Sequence, residues 1–213
     1  MSDIKKKKEI VKYAKKFSNT SFSPIRSGNI SIRHKMNKTD GFLITPSGKK
    51  NSEINIKDIV FVSMKGILEK NKKPSSEWQF HLDLYKNTNC NSIVHAHSKY
   101  SVICSCLYKQ IPSFHYMVAL TEAENIKVAE YALFGTKKLS NNILKSIKNR
   151  KSCLIANHGQ ISIGFDLKSA YELAEEIELL CEYYYFCRLQ NIPKNISHLE
   201  MKKVLNKMKS YKN

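Results

Sequence analysis

Residues Ser92–Ser101 read SIVHAHSKYS, and the fold is decided around them. Ser92-Ile93-Val94 has the character of a buried strand at its start, yet His95 and His97 follow with only Ala96 between them. Side chains alternate faces along a strand, so the two imidazoles project the same way, about 7 Å apart along the chain. A single histidine on an apolar strand is usually a satisfied core residue. Two on one face each need a polar partner, and one metal ion would serve both. On this stretch alone, a metal site and a hydrogen-bonded core pair both stay open.

Outward from that strand, residues 99–107 suit a short helix. Upstream, NKKPSSEWQFHLDLYKN (71–87) reads as a loop and then a helix, with Trp78, Leu82 and Tyr85 at helical spacing and serine capping signals before them. Further back, the alternating Ile30–Arg33, GFLITPSGKK (41–50) and DIVFVSMKG (58–66) read as three strands of a meander, preceded by a lysine-faced helix over 3–18. Downstream, Val128–Tyr131 reads as a short strand and TKKLSNNILKSIKNR (136–150) as a helix. SCLIANHGQISIG (152–164) reads as a hairpin-like pair around Asn157-His158-Gly159. A long amphipathic helix from Leu167 to about Gln190 and a shorter one at 197–209 close the chain. No repeat or linker interrupts it, so one domain is expected over residues 1–213. Strands interleaved with helices predict an α/β sandwich: one mainly antiparallel sheet covered by helices.

Composition agrees with an enzyme-sized domain. At 213 residues and 42% hydrophobic residues the chain can bury a proper core. No apolar run reaches membrane-span length, and MSDIKKKKEI lacks the apolar stretch of a signal peptide, so a cytoplasmic protein without membrane partners is expected. Cys90, Cys104, Cys106, Cys153, Cys181 and Cys187 form no CxxC pair and read as packed, reduced thiols. The net charge of +18 invites a nucleic-acid reading, but the basic residues are spread along the chain and only four are arginine. No basic and aromatic residues interleave as a nucleic-acid motif, so the charge is read as attraction for small anions.

His158 sits in a turn between apolar strands, beside a glycine. It is either a polar turn residue or the third member of a His₃ set with His95 and His97, which would leave positions open for substrate. Glu77 opens a helix, where a carboxylate complements the dipole and Ser75 or Ser76 caps. The same helix start suits a phosphate, with Glu77 as an adjacent base. The turns Gly28-Asn29 and Ser47-Gly48 have the small residues that let backbone N–H groups close around phosphate oxygens.

Read together, SGNISIR (27–33), LITPSG (43–48), KPSSEWQFHLDLY (73–85), IVHAHS (93–98), FHYMVA (114–119), YALFGT (131–136), KNRKSCLIANHG (148–159) and MKSYKN (208–213) resemble the class II aldolase/adducin family over nearly the whole chain. The most specific parts are PSSEW, HAH and NHG, in that order and spacing. The resemblance implies Zn²⁺ held by His95, His97, His158 and, in the resting state, Glu77. It implies a phosphate pocket of Gly28, Asn29, Ser47, Gly48, Ser75 and Ser76. It also implies retro-aldol cleavage of a ketose 1-phosphate, with L-fuculose 1-phosphate favoured and a deoxypentulose 1-phosphate next. Zinc then acts as a Lewis acid on the developing enediolate, and Glu77 shuttles the proton at C3 of dihydroxyacetone phosphate. Tyr116 is implied to handle the proton on the aldehyde oxygen from a neighbouring subunit of a homotetramer. Phe134 and Tyr211 are implied to line the aldehyde end, Tyr211 with a catalytic part. From the residues alone, Tyr116 and Phe134 would be core aromatics.

The chain also departs from the family pattern. Arg26 stands where a small hydroxyl residue is usual, and it either grips phosphate or points outward. TEAENIKVAEY (121–131) brings Glu122, Glu124 and Lys127 into a loop that elsewhere contains glycine, which puts the aldehyde partner in question. Other readings are a 4-epimerase or a thio-sugar-phosphate dehydratase on the same site. An adducin-like interaction module is disfavoured because the ligand residues are all present.

Overall fold

A computed structural model describes residues 2–19, 22 and 25–210. Helix α1 (Asp3–Asn19) leads into strands β1 (Asn29–Met36), β2 (Thr39–Ile44) and β3 (Val60–Ser63), then helix α2 (Trp78–Asn87) and strand β4 (Ser92–Ala96). Helix α3 (Lys99–Leu107), strands β5 (Gln110–Ile111) and β6 (Ile126–Ala129) and helix α4 (Lys137–Ile147) follow. Strands β7 (Ser152–Ile155) and β8 (Gly159–Gly164) and helices α5 (Leu167–Gln190) and α6 (His198–Ser210) complete the order. The strands make one sheet in the order β3-β2-β1-β4-β8-β7-β6-β5. Every neighbouring pair is antiparallel except β6 and β7. This is the mainly antiparallel, helix-covered α/β sheet expected from the sequence.

Local chemistry sets these elements. Asn37 and Lys38 both adopt positive φ, at 47° and 65°, and close the β1–β2 hairpin with Met36 opposite Thr39. Two left-handed residues are what a tight hairpin matching the sheet twist requires. Helix α5 starts at Asp166, whose side chain accepts the Ser169 N–H while Ser169 Oγ accepts the Asp166 N–H.

The alternation of β4 divides the core. Ile93 packs with Phe42, Phe80, Ile143 and Ile161 under α2 and α4, whereas Val94 and Ala96 pack with Ile10, Phe17 and Tyr171 of α1 and α5. His95, two residues after Ile93, therefore points to the α2 side. A third cluster joins α3, α5 and α6 through Cys104, Ile177, Cys181 and Met201.

Three expectations need correction. Strand β4 ends at Ala96, so His97 lies just beyond it rather than within it. β6 runs two residues earlier than expected and stops where its parallel pairing with β7 stops, leaving Tyr131 60% exposed. Residues 110–111 form an edge strand too short to show alternation. Among the cysteines, Cys90, Cys104, Cys153 and Cys181 are buried, while Cys106 and Cys187 are exposed, and all six are unpaired. Among the described residues, no helix is long and apolar enough to cross a membrane.

Candidate active site

Sheet register brings three segments to one point. Asn29 opens β1 directly opposite His95, and Ala96 pairs with Gln160 at the start of β8. The His158-Gly159 turn that feeds β8 therefore sits beside the end of β4. Glu77, at the foot of α2, closes the point from the helix layer. The ligand atoms of Glu77, His95, His97 and His158 all lie within 4.8 Å of one another.

The hydrogen bonding of this cluster is that of a cation site. His95 Nδ1 lies 2.8 Å from the Gln160 carbonyl oxygen, which can only accept, so the proton is on Nδ1 and Nε2 presents its lone pair. That Nε2 faces His97 Nε2 at 2.9 Å and a Glu77 Oε2 at 3.2 Å. Glu77 Oε1 lies 3.2 Å from His158 Nε2, yet among the described residues it finds no well-aligned donor although it is buried. Three imidazole nitrogens and a carboxylate oxygen that converge without enough protons between them fit a divalent ion with borderline-soft preference.

Burial by itself raises the Glu77 carboxyl, but His95 and His158 beside it overcome this and hold it well below the usual carboxylate range. Burial, with His95 and His158 adding to it, pushes the His97 imidazole down to about 3. Fully buried His81, four residues after Glu77 on α2, is likewise pushed by burial down to about 3.

The sign of the resulting stability effect is fixed. An imidazole depressed in the folded state and ordinary when unfolded contributes stability in full above about pH 6.5, and loses it as pH falls towards 3. His81 alone is worth roughly 5 kcal/mol at most by this route. The urea midpoint of the metal-free protein is expected to fall already between pH 6.5 and 5, above the carboxylate range. A midpoint flat to pH 4.5 would contradict the neutral burial of these rings.

A cavity of about 380 Å³ opens over the cluster, lined by Arg26, Ser27, Gly28, Asn29, Pro46, Ser47, Gly48, Ser75, Ser76, Glu77, His97, Tyr131, Ala132, Phe134, Asn157 and His158. The six residues of the expected phosphate pocket are all on its wall. Gly28 and Gly48 both have positive φ, at 77° and 74°. A larger depression of about 680 Å³, beside Lys148, Arg150 and Lys151, contains no comparable ligand set among the described residues.

Arg26 is exposed and is among the residues that line the cavity. The Glu122–Lys127 segment does not line it. Within the chain, Glu122 pairs with Lys151 at 2.7 Å and Glu124 with His198 at 2.6 Å. Tyr116 is 50% exposed on a short 3₁₀ turn, its ring tilted against that of His115, and does not line this cavity in the single chain. Tyr211 lies outside the described residues. The capping expectation is also revised. Glu77 itself occupies the residue before the helix, Ser75 Oγ accepts the Glu77 N–H at 3.3 Å, and neither serine side chain caps a helical N–H. Tyr131, Ala132 and Asn157 on the wall carried no sequence signal of their own.

Residues 8–185 match the family described as Class II Aldolase and Adducin N-terminal domain. The 5-methylthioribulose-1-phosphate/5-deoxyribulose-1-phosphate aldolase of Rhodospirillum rubrum is 42% identical over 186 residues, 87% of this chain and 82% of that protein. The L-fuculose phosphate aldolase of Escherichia coli K12 is 37% identical over 187 residues, 87% of this chain and 85% of that protein. A solved structure of L-fuculose 1-phosphate aldolase superposes with a TM-score of 0.90 at 34% identity, covering 98% of this chain and 97% of its own.

Proposed function

This chain belongs to the class II aldolase and adducin family, and on that premise we propose that it is a zinc-dependent aldolase. It splits a ketose 1-phosphate into dihydroxyacetone phosphate and a short aldehyde, in the cytoplasm. The observation that carries this reading is one cavity with two chemical ends. One end is the glycine, serine and asparagine wall, and the other is the Glu77/His95/His97/His158 cluster.

His95, His97, His158 and Glu77 would hold a divalent ion, which when bound would supply Lewis acidity to the ketose. The chain's own residues do the rest. Gly28, Asn29, Ser47, Gly48, Ser75 and Ser76 seat the phosphate and thereby fix C3 relative to Glu77. As the C3–C4 bond breaks, its electron pair stays on the C3 side, conjugated with the C2 carbonyl, and the C4 hydroxyl loses its proton to give the aldehyde. Glu77 takes up a proton as substrate separates it from the cluster and delivers it to C3, while Tyr116 of a neighbouring subunit in a homotetramer relays the one from the C4 oxygen to solvent. Phe134 and Tyr211 enclose the aldehyde, Tyr211 assisting proton transfer there.

L-Fuculose 1-phosphate is the first substrate to try. A second reading, a 5-deoxy- or 5-methylthio-ribulose 1-phosphate, is favoured by the Rhodospirillum relative and by the Tyr131, Ala132 and Phe134 rim, which suits an apolar tail. A coupled assay for dihydroxyacetone phosphate on both substrates, with zinc and with a chelated control, tests the proposal. Metal-dependent release supports it and ranks the ketoses. No release from folded, zinc-loaded protein replaces it with the epimerase or dehydratase reading, which produces no dihydroxyacetone phosphate.

Arg26 gives a separate test. Among the described residues on the cavity wall it is the one with a permanent positive charge. Arg26→Ala is expected to raise KM about tenfold, the worth of a charge-assisted hydrogen bond, with kcat nearly unchanged. An unaltered KM would remove Arg26 from the phosphate seat.

A further inference from the structure

Glu77 stands at the end of a buried chain of side chains. Tyr85 Oη lies 2.7 Å from Ser31 Oγ, and Ser31 Oγ lies 2.7 Å from His81 Nδ1. His81 Nε2 lies 2.5 Å from Asn29 Oδ1, and Asn29 Nδ2 lies 2.9 Å from Glu77 Oε2 and 3.0 Å from Ser75 Oγ. Two periodicities interlock to make it. Asn29 and Ser31 are two apart on β1 and share one face, while Glu77, His81 and Tyr85 are four apart and share one face of α2. All five residues are buried.

The protons along this chain have one consistent arrangement. The Glu77 carboxylate only accepts, so the amide nitrogen of Asn29 faces it and Oδ1 faces His81. Oδ1 also only accepts, so His81 carries its proton on Nε2. Nδ1 of the neutral ring is then bare and takes the Ser31 O–H, and Ser31 in turn accepts the Tyr85 O–H. At the other end, Ser75 Oγ accepts from both Asn29 Nδ2 and the Glu77 N–H, which leaves its own proton to donate into the cavity that Ser75 lines.

We propose that His81 is a positioning residue that never touches substrate. Its Nε2–H locks the Asn29 amide in the orientation that sends one N–H to Glu77 and the other to Ser75. One buried ring thereby aims the proposed base and the phosphate seat together. If Asn29 flipped, its oxygen would face the Glu77 carboxylate and its N–H groups would face another donor.

The proposal rests on the aldolase reading for its kinetic consequences but not for its geometry, and the experiment separates the two. ¹⁵N-imidazole NMR of the wild-type protein reads the tautomer of His81 whatever the reaction is. The Nε2–H form is expected, and the Nδ1–H form would overturn the proposal. The kinetic arm compares two variants on the ketose 1-phosphate. His81→Phe keeps a ring stacked on Phe80, where the centroids are 4.7 Å apart, and removes both nitrogens. His81→Gln restores an N–H near the Nε2 position. His81→Phe is expected to lower kcat about 10- to 100-fold and raise KM, and His81→Gln to recover most of both. A purely structural role predicts the reverse order, because Phe fills the site better. His81→Phe within twofold of wild type, or His81→Gln no better than Phe, would overturn the assignment. If wild-type protein releases no dihydroxyacetone phosphate, the aldolase reading fails while the tautomer still decides the role of His81. The tautomer also decides it if His81→Phe does not fold.

Discussion

Glu77→Gln is expected to lower kcat by about 10²- to 10⁴-fold, the usual range for a lost general acid–base, while the protein stays folded and keeps its zinc. The substitution suits the pocket. An amide oxygen can still accept from Asn29 Nδ2, now 2.9 Å from Glu77 Oε2, and the amide has nearly the volume of the carboxylate it replaces. His95, His97 and His158 stay in place as three nitrogen ligands. What disappears is the ability to carry a proton. Zinc content, circular dichroism and turnover measured on one preparation check the result. Unchanged turnover would mean that another group moves the C3 proton. Loss of zinc together with turnover would mean that the carboxylate is chiefly a ligand.

How far the sequence carried the site can be followed residue by residue. HAHS and NHG were legible because strand periodicity and a glycine turn are local, and the register that joins them follows once both segments are strands of one sheet. Glu77 was legible through PSSEW, but its bland reading as a helix-start carboxylate was nearly as good. What separates the readings is the orphaned Oε1 facing His158, a contact between residues far apart in the chain. His81 was opaque for the opposite reason. In QFHLDLY it looks like one polar residue on a mostly apolar helix face, and its partners Ser31 and Asn29 lie on another element. Glu122 and Glu124 are both salt-bridged within the single chain. Their partners Lys151 and His198 come from segments that sequence spacing does not connect. Tyr116 had to be exposed in the single chain if it serves a neighbour, and half of its surface is.

Gly159→Ala tests whether the β4–β8 approach builds the metal site. A Cβ at Gly159 would stand 2.4 Å from the Ala96 carbonyl oxygen and 3.2 Å from His97 Cα, both backbone atoms that cannot rotate away. Its φ of 156° adds a conformation that side chains seldom adopt. The strands must therefore separate at the one place where His95, His97 and His158 converge. Overpacking of this kind costs about 1–3 kcal/mol, and displacement of the ligands by even half an ångström should cost more in function than in stability. The expected result is a folded protein with a lower urea midpoint, zinc affinity reduced at least about tenfold in chelator competition, and turnover falling with it. Gly48→Ala is the informative comparison. Its φ is 74°, but no atom lies within 4 Å of its Cβ, so it should cost about 1 kcal/mol of backbone strain and leave zinc affinity alone. If Gly159→Ala binds zinc as tightly as Gly48→Ala, the close contact of β8 with β4 is a packing detail. The three histidines would then be held by their own hydrogen bonds, with His95 relying on the Gln160 carbonyl.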